Sequence, residues 1–148
     1  MRGVYSDGIA ALLVMMWVAG GPTCAETVLF KAELDASTQA PPTESKGAGT
    51  VSANYDTITK VLNWKGTHSG LTGPATSAHF HGPAEPGRSA DVAIWISTKG
   101  SPLPASFEGQ ATLSDAQAAE MMVGLWYVNI HTARYPGGEI RGQLQLAK

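Results

Sequence analysis

The fold is decided by residues 124–146, GLWYVNIHTARYPGGEIRGQLQL, which predict two β-strands joined by a turn. In residues 126–131, Trp, Val and Ile alternate with Tyr, Asn and His, a period of two that is typical of a strand with one buried face. The Pro-Gly-Gly that follows is strong turn chemistry, and residues 139–145 alternate again. The hairpin therefore presents His131 and Arg141 on the face that points away from the core.

The rest of the chain shows the same pattern of short alternating segments separated by Gly- and Pro-rich turns. Eight such strands at regular spacing predict an all-β fold, a Greek-key sandwich or barrel. One segment departs from the period of two: residues 114–123 predict a short helix, with Ser114 as its N-cap. The six further strands are predicted over residues 27–34, 47–55, 61–67, 76–82, 91–97 and 107–113. Trp64, Trp95 and Trp126 are expected to point inward and fill the core.

The first 25 of the 148 residues have the layout of a secretory signal peptide. Arg2 precedes an apolar run over residues 9–19 that is too short to span a membrane, and Ala25 ends the segment with a small residue. We expect cleavage after Ala25, one domain over residues 26–148, and a periplasmic or secreted protein. An uncleaved membrane anchor, or a lipoprotein that uses Cys24, is the competing interpretation.

Composition excludes several classes of partner and chemistry. The net charge is −2 and no basic block exists, which argues against nucleic acid as a partner. Cleavage would remove Cys24, the only cysteine, so the remaining chain would have neither a disulfide nor a thiolate ligand. No apolar run beyond the signal segment reaches membrane-spanning length.

The histidines carry the main functional signal. In the strand TSAHFHG, His79 and His81 share the face opposite Phe80, about 7 Å apart along the backbone, and can chelate one ion. His131 is predicted on the outward face of another strand, so we expect these three of the four histidines to form a shared metal site. His68 is a candidate extra ligand.

Three sequence segments resemble the CHRD domain, which is named after chordin and is common in exported bacterial proteins. They are AHFHGPA at residues 78–84, YVNIHT at residues 127–132 and GGEIRGQ at residues 137–143. The resemblance extends from about residue 28 to residue 144. The growth-factor binding associated with the chordin name does not transfer to a stand-alone exported domain.

A more distant similarity of layout links the chain to copper/zinc superoxide dismutases, which are eight-stranded Greek-key barrels. Their copper is held by a His-x-His strand and a later His, and an Arg near the last strand guides the anion. By this resemblance, His79, His81 and His131 would bind copper and Arg141 would act beside it as the catalytic cation. No histidine lies between His81 and His131, so no zinc subsite is implied.

A mononuclear copper site is therefore the preferred hypothesis, with copper favoured over zinc by the affinity order of imidazole ligands. Three nitrogens with an open position permit either simple binding or redox cycling, including superoxide dismutation. Asn129 and Glu139 are candidates for hydrogen bonds to the imidazole N–H groups. The alternative is a non-enzymatic interaction module, in which the histidines and Arg141 form a structural network and the loops at residues 36–46 and 82–90 bind a protein.

Overall fold

The protein is a single antiparallel sheet rolled into a nearly closed barrel, with one short helix among the described residues. The computed structural model describes residues 26–97 and 101–147, so the predicted signal peptide lies outside the described part. The strands are β1 (Thr27–Asp35), β2 (Ala48–Asp56), β3 (Val61–Ser69), β4 (Ala75–His81), β5 (Val92–Trp95), β6 (Ser106–Thr112), β7 (Tyr127–Thr132), β8 (Ile140–Gln143) and β9 (Gln145–Leu146), and the helix is α1 (Asp115–Met122).

The strand order across the sheet is β5-β4-β7-β8-β1-β2-β3-β6, and β9 pairs with β1. An isolated antiparallel bridge between Ala75 of β4 and Leu103, shortly before β6, connects the two ends of this strand order. The predicted all-β architecture of about eight strands is thus confirmed. The last predicted strand is divided into β8 and the short β9.

The core is built by the apolar members of the alternating segments. In β7, Val128 and Ile130 are fully buried, and in β4 the same is true of Ala78 and Phe80. Trp126 is also fully buried and packs near Phe80, with their ring centroids 6.0 Å apart. Full burial of a large apolar side chain stabilises the fold by about 1.5–3 kcal/mol, so these residues fix which face of each strand points inward.

Helix α1 begins where the sequence predicts it. The Ser114 side chain accepts a hydrogen bond from the Gln117 backbone N–H, and the Gln117 side chain accepts one from the Ser114 N–H. This reciprocal arrangement is a capping box, which satisfies two of the N–H groups left free at a helix start. Met121 of α1 is fully buried in the core, as expected for a structural methionine.

None of the helices within the described residues has the length and apolar character needed to cross a membrane.

Candidate metal centre

The register of β4 and β7 brings the three predicted ligands to one face of the sheet. His79 lies opposite Asn129, His81 lies opposite Tyr127, and Ser77 lies opposite His131. Cross-strand partners point to the same side of a sheet. All three histidines therefore extend from the side of the sheet opposite the core.

The three imidazoles meet closely enough to share an ion. One ring nitrogen from each of His79, His81 and His131 lies within 4.8 Å of the corresponding nitrogens of the other two. Two nitrogens bound to one metal ion lie at most about 4 Å apart, since each bond is about 2 Å long. Small side-chain rotations would therefore bring all three nitrogens to coordination distance.

The outer face is largely buried, although side chains that point away from the core were expected to be exposed to solvent. His79 is only 6% exposed and His81 is 8% exposed, while His131 is half-buried. The reason is that aromatic rings cover them. The Trp95 ring meets the His79 ring edge-on at 4.2 Å, and the Tyr127 ring stacks on the His81 ring at 4.8 Å.

Backbone carbonyl groups fix the tautomer of two of the rings. His81 Nδ1 lies 2.9 Å from the Ala90 carbonyl oxygen, and His131 Nδ1 lies 2.9 Å from the Pro136 carbonyl oxygen. A carbonyl oxygen can only accept, so Nδ1 carries the proton in each ring. Nε2 of each neutral imidazole is then left with a lone pair, which is the form that binds a metal.

Several lone pairs converge at Asn129. The Asn129 Oδ1 atom lies 3.0 Å from His81 Nε2 and 2.9 Å from His131 Nε2. In this arrangement the Oδ1 atom and the two Nε2 atoms are all acceptors, so they repel one another unless a cation lies between them. The alternative is that the Asn129 amide is turned so that its NH₂ group faces the rings and donates to them. The buried Nε2 atom of His79 has no hydrogen-bond partner at all. The three-histidine group therefore contains a nitrogen atom without a hydrogen-bond partner, which a metal ion would bind.

Burial favours the neutral form of two of these rings, those of His79 and His131. Burial, together with the neighbouring His131 and His81, lowers the pKa of His79 to about 4. Burial also lowers the pKa of His131, more than the hydrogen bond to the Pro136 carbonyl raises it. At neutral pH, protons do not compete for His79 or His131.

The structure places the two other proposed partners elsewhere. His68 lies in β3, where its Nε2 is 3.1 Å from the Pro104 carbonyl oxygen, and it is not part of the three-histidine group. Glu139 is completely buried, and its carboxylate accepts hydrogen bonds from Ser45, Thr72 and Thr132 rather than from an imidazole. Of the predicted supporting residues, only Asn129 contacts the histidines.

Arg141 lies on the same sheet face but reaches the histidines only through an aromatic ring. It pairs with Asn129 across β7 and β8, and its guanidinium carbon lies 3.5 Å from the centroid of the Tyr127 ring. Because β7 lies between β4 and β8, Tyr127 separates Arg141 from His81. Although predicted to point outward, Arg141 is only 2% exposed, and this burial lowers its pKa.

Two aromatic residues, Trp95 and Tyr127, complete the centre, and the sequence pattern predicted the wrong orientation for Trp95. Trp95 was expected to fill the core, but it is 46% exposed and pairs with His79 across β4 and β5. Since Ile94 and Ile96 on either side are also apolar, alternation could not decide which way Trp95 points. Tyr127 carried a usable signal, because it alternates with the inward residues and so shares the face of Asn129.

Comparison with known proteins gives a family and no individual relative. No curated protein and no solved structure matched the chain. The CHRD domain family model matches residues 30–144, a range that contains His79, His81, His131 and Arg141. This range covers most of the 148 residues, and the chain belongs to the CHRD domain family.

Proposed function

We propose that this CHRD-domain protein binds a single copper ion through His79, His81 and His131. The observation that carries the proposal is the convergence of one nitrogen from each ring within 4.8 Å on one sheet face. The hydrogen bonds to the Ala90 and Pro136 carbonyl groups support it, because they leave Nε2 of two rings free to coordinate.

The ligand set favours copper over zinc. Three imidazole nitrogens suit both ions, and at equal availability Cu(II) binds such a site more tightly. Copper bound here would supply a redox-active Lewis acid. The surrounding rings of Trp95 and Tyr127 would limit the access of water to it.

The proposed location is the periplasm or the cell exterior. It rests on the signal-peptide layout of residues 1–25, with the domain at residues 26–148. Cellular fractionation with an antibody to the protein tests it, and recovery in the cytoplasmic fraction would contradict it.

A Cu(II) titration in competition with a chelator of known affinity tests the binding proposal. We expect one equivalent of tightly bound copper, with binding weakened about a hundredfold or more in His79→Ala, His81→Ala and His131→Ala. His68→Ala is the matched control, because His68 lies outside the group, and it should bind copper like the wild type. A parallel Zn(II) titration should show weaker binding.

Equal affinity in the wild type and all three variants would contradict the proposal. The histidines would then be structural, and the alternative of a non-enzymatic interaction module would be favoured.

Superoxide dismutation is a second candidate function, and Arg141 is the observation that favours it. A buried guanidinium one aromatic ring from His81 creates a positive potential that attracts a small anion towards the centre. In the copper-loaded protein, Arg141→Gln should lower the dismutation rate about tenfold and flatten its dependence on ionic strength. Activity no greater than that of free copper in the loaded wild type would contradict this function.

A further inference from the structure

A cleft of about 570 Å³ lies beside Arg141 and is distinct from the three-histidine group. Its walls come from the loop at residues 37–42, from Pro86, Gly87 and Ser89, and from Arg141 and Gln143 of β8. None of the three histidines lines it. These are the two loops for which the sequence suggested a binding role, and the structure brings them together over β8.

The Arg141 guanidinium in this cleft forms no ion pair within the described part of the protein. The one ion pair among residues 26–97 and 101–147 joins Lys60 to Asp115, far from Arg141 in the strand order. Tyr127 offsets part of the cost of burying the guanidinium through a cation–π contact. A buried charge without an opposite charge is otherwise costly.

The two acidic residues that the sheet places nearest to Arg141 are already engaged. Asp35 pairs with Arg141 across β1 and β8, but its carboxylate accepts hydrogen bonds from Ser37 and Thr38. Glu139 lies two residues away along the chain and is held by the hydroxyl and amide groups described above. Neither carboxylate forms an ion pair with Arg141, so the guanidinium can still pair with an anion from outside the protein.

Two polar atoms of residues that line the cleft are buried and have no hydrogen-bond partner. One is Nη2 of Arg141, a donor, and the other is Oε1 of Gln39, an acceptor. The Gln39 side chain is held in place, since its Nε2 donates to the Gly137 carbonyl oxygen at 3.1 Å. Buried polar groups are normally paired, so a donor and an acceptor left free at one cleft indicate a ligand that satisfies both.

We propose that this cleft binds a small monocarboxylate that also carries an N–H or O–H group. Arg141 is the only ionisable residue of the cleft wall, so it balances a single negative charge. A planar carboxylate matches the geometry of a guanidinium, and the N–H or O–H group would donate to Gln39. A free hydroxy acid and the C-terminus of a peptide both have this chemistry.

The test is a titration of the metal-free protein followed by two-dimensional NMR of the side-chain N–H groups of Arg141, Gln39 and Gln143. The probes are lactate, for a free hydroxy acid, and N-acetylglycine, for a peptide C-terminus. Saturable shifts of these signals are expected with at least one probe, and the stronger of the two identifies the source. N-acetylglycinamide, which lacks the charge, should bind at least about tenfold more weakly.

Variants separate the cleft from general charge effects. Arg141→Gln should weaken binding about tenfold or more, and the matched change Arg134→Gln at an exposed arginine outside the cleft should not. Ser89→Trp keeps Arg141 but fills the cleft from an exposed position, so it decides the matter if Arg141→Gln does not fold.

Three results would overturn the proposal. They are the absence of saturable shifts with either carboxylate, equal binding by the wild type and Ser89→Trp, and binding of inorganic phosphate as tightly as of the carboxylates. Because copper is absent throughout, these results are independent of the proposed function of the histidines.

Discussion

A single buried histidine shows how the site depends on its surroundings. His79 is enclosed by Trp95, His81 and His131, and its Nδ1 lies 3.2 Å from His131 Nε2. Burial and its two histidine neighbours hold its pKa at about 4, well below the ordinary value of 6.5. The ring is therefore kept in the neutral form that a metal requires, at a cost in stability when the solution is acidic.

The metal-free protein should lose stability as the pH falls from about 6.5 to about 4. In this interval the unfolded chain protonates His79 while the folded protein does not, so protons favour unfolding. This loss of stability is absent above about pH 6.5 and reaches its full size by about pH 4. We expect a loss of about 2 kcal/mol, because solvent screening reduces the full effect of the pKa difference.

Chemical denaturation at a series of pH values measures this effect. The difference in free energy of unfolding between the wild type and His79→Gln should vary over that interval and be constant at higher pH. A difference that does not change with pH would show that His79 titrates in the folded protein as it does in the unfolded chain.

At the scale of one element, β8 and the residue before it anchor the loops that surround both candidate sites. The Glu139 carboxylate accepts hydrogen bonds from Ser45 at 2.5 Å, from the Thr72 amide at 2.8 Å and from Thr132 at 2.5 Å. Burial alone would raise the pKa of Glu139, but these hydrogen bonds outweigh it and lower the pKa. Glu139 thus connects the loop before β2, the loop before β4 and the end of β7.

Glu139→Gln should lower the free energy of unfolding by about 2–4 kcal/mol. An amide nitrogen would face groups that donate, so at least one buried donor would lose its acceptor. Thermal or urea denaturation measures the change. The matched variant Glu108→Gln, at an exposed position of β6, should change the free energy of unfolding by less than about 0.5 kcal/mol. A similar loss of stability in both variants would contradict the role of Glu139.

The elements themselves were predictable because their side chains follow a simple period. Alternation located eight strands, the last of which the structure divides into β8 and β9, and the outward set of His79, His81 and His131, and Ser114 marked the start of α1. Alternation does not reveal what covers the outward face. The burial of Arg141 depends on strands and loops distant in sequence, and β5 is apolar on both sides, which hid the position of Trp95.

At the scale of the whole molecule, the contact between β8 and β1 joins the two halves of the barrel. One half contains the strands of the candidate centre and the other contains β1, β2, β3 and β6. Gly142 lies at this junction, where an added Cβ would come within 2.1 Å of the Glu33 carbonyl oxygen. A backbone oxygen in a sheet cannot move aside cheaply, so the close approach of the strands requires glycine.

Gly142→Ala should therefore destabilise the protein by about 2–3 kcal/mol, the usual effect of overpacking. It should also perturb the Arg141 environment, because the two residues are adjacent on β8. Gly137→Ala is the control, since a Cβ there would meet no atom within 4 Å. Calorimetric melting compares them, and an unchanged melting temperature in Gly142→Ala would contradict the proposed close junction.

Electron paramagnetic resonance of the protein with one equivalent of Cu(II) tests most directly whether three histidines from two strands hold one copper ion. We predict nitrogen couplings from three imidazoles, reduced to two in His131→Ala and unchanged in His68→Ala. A spectrum that is the same in the wild type and His131→Ala, or one that shows no imidazole nitrogen, would contradict the claim.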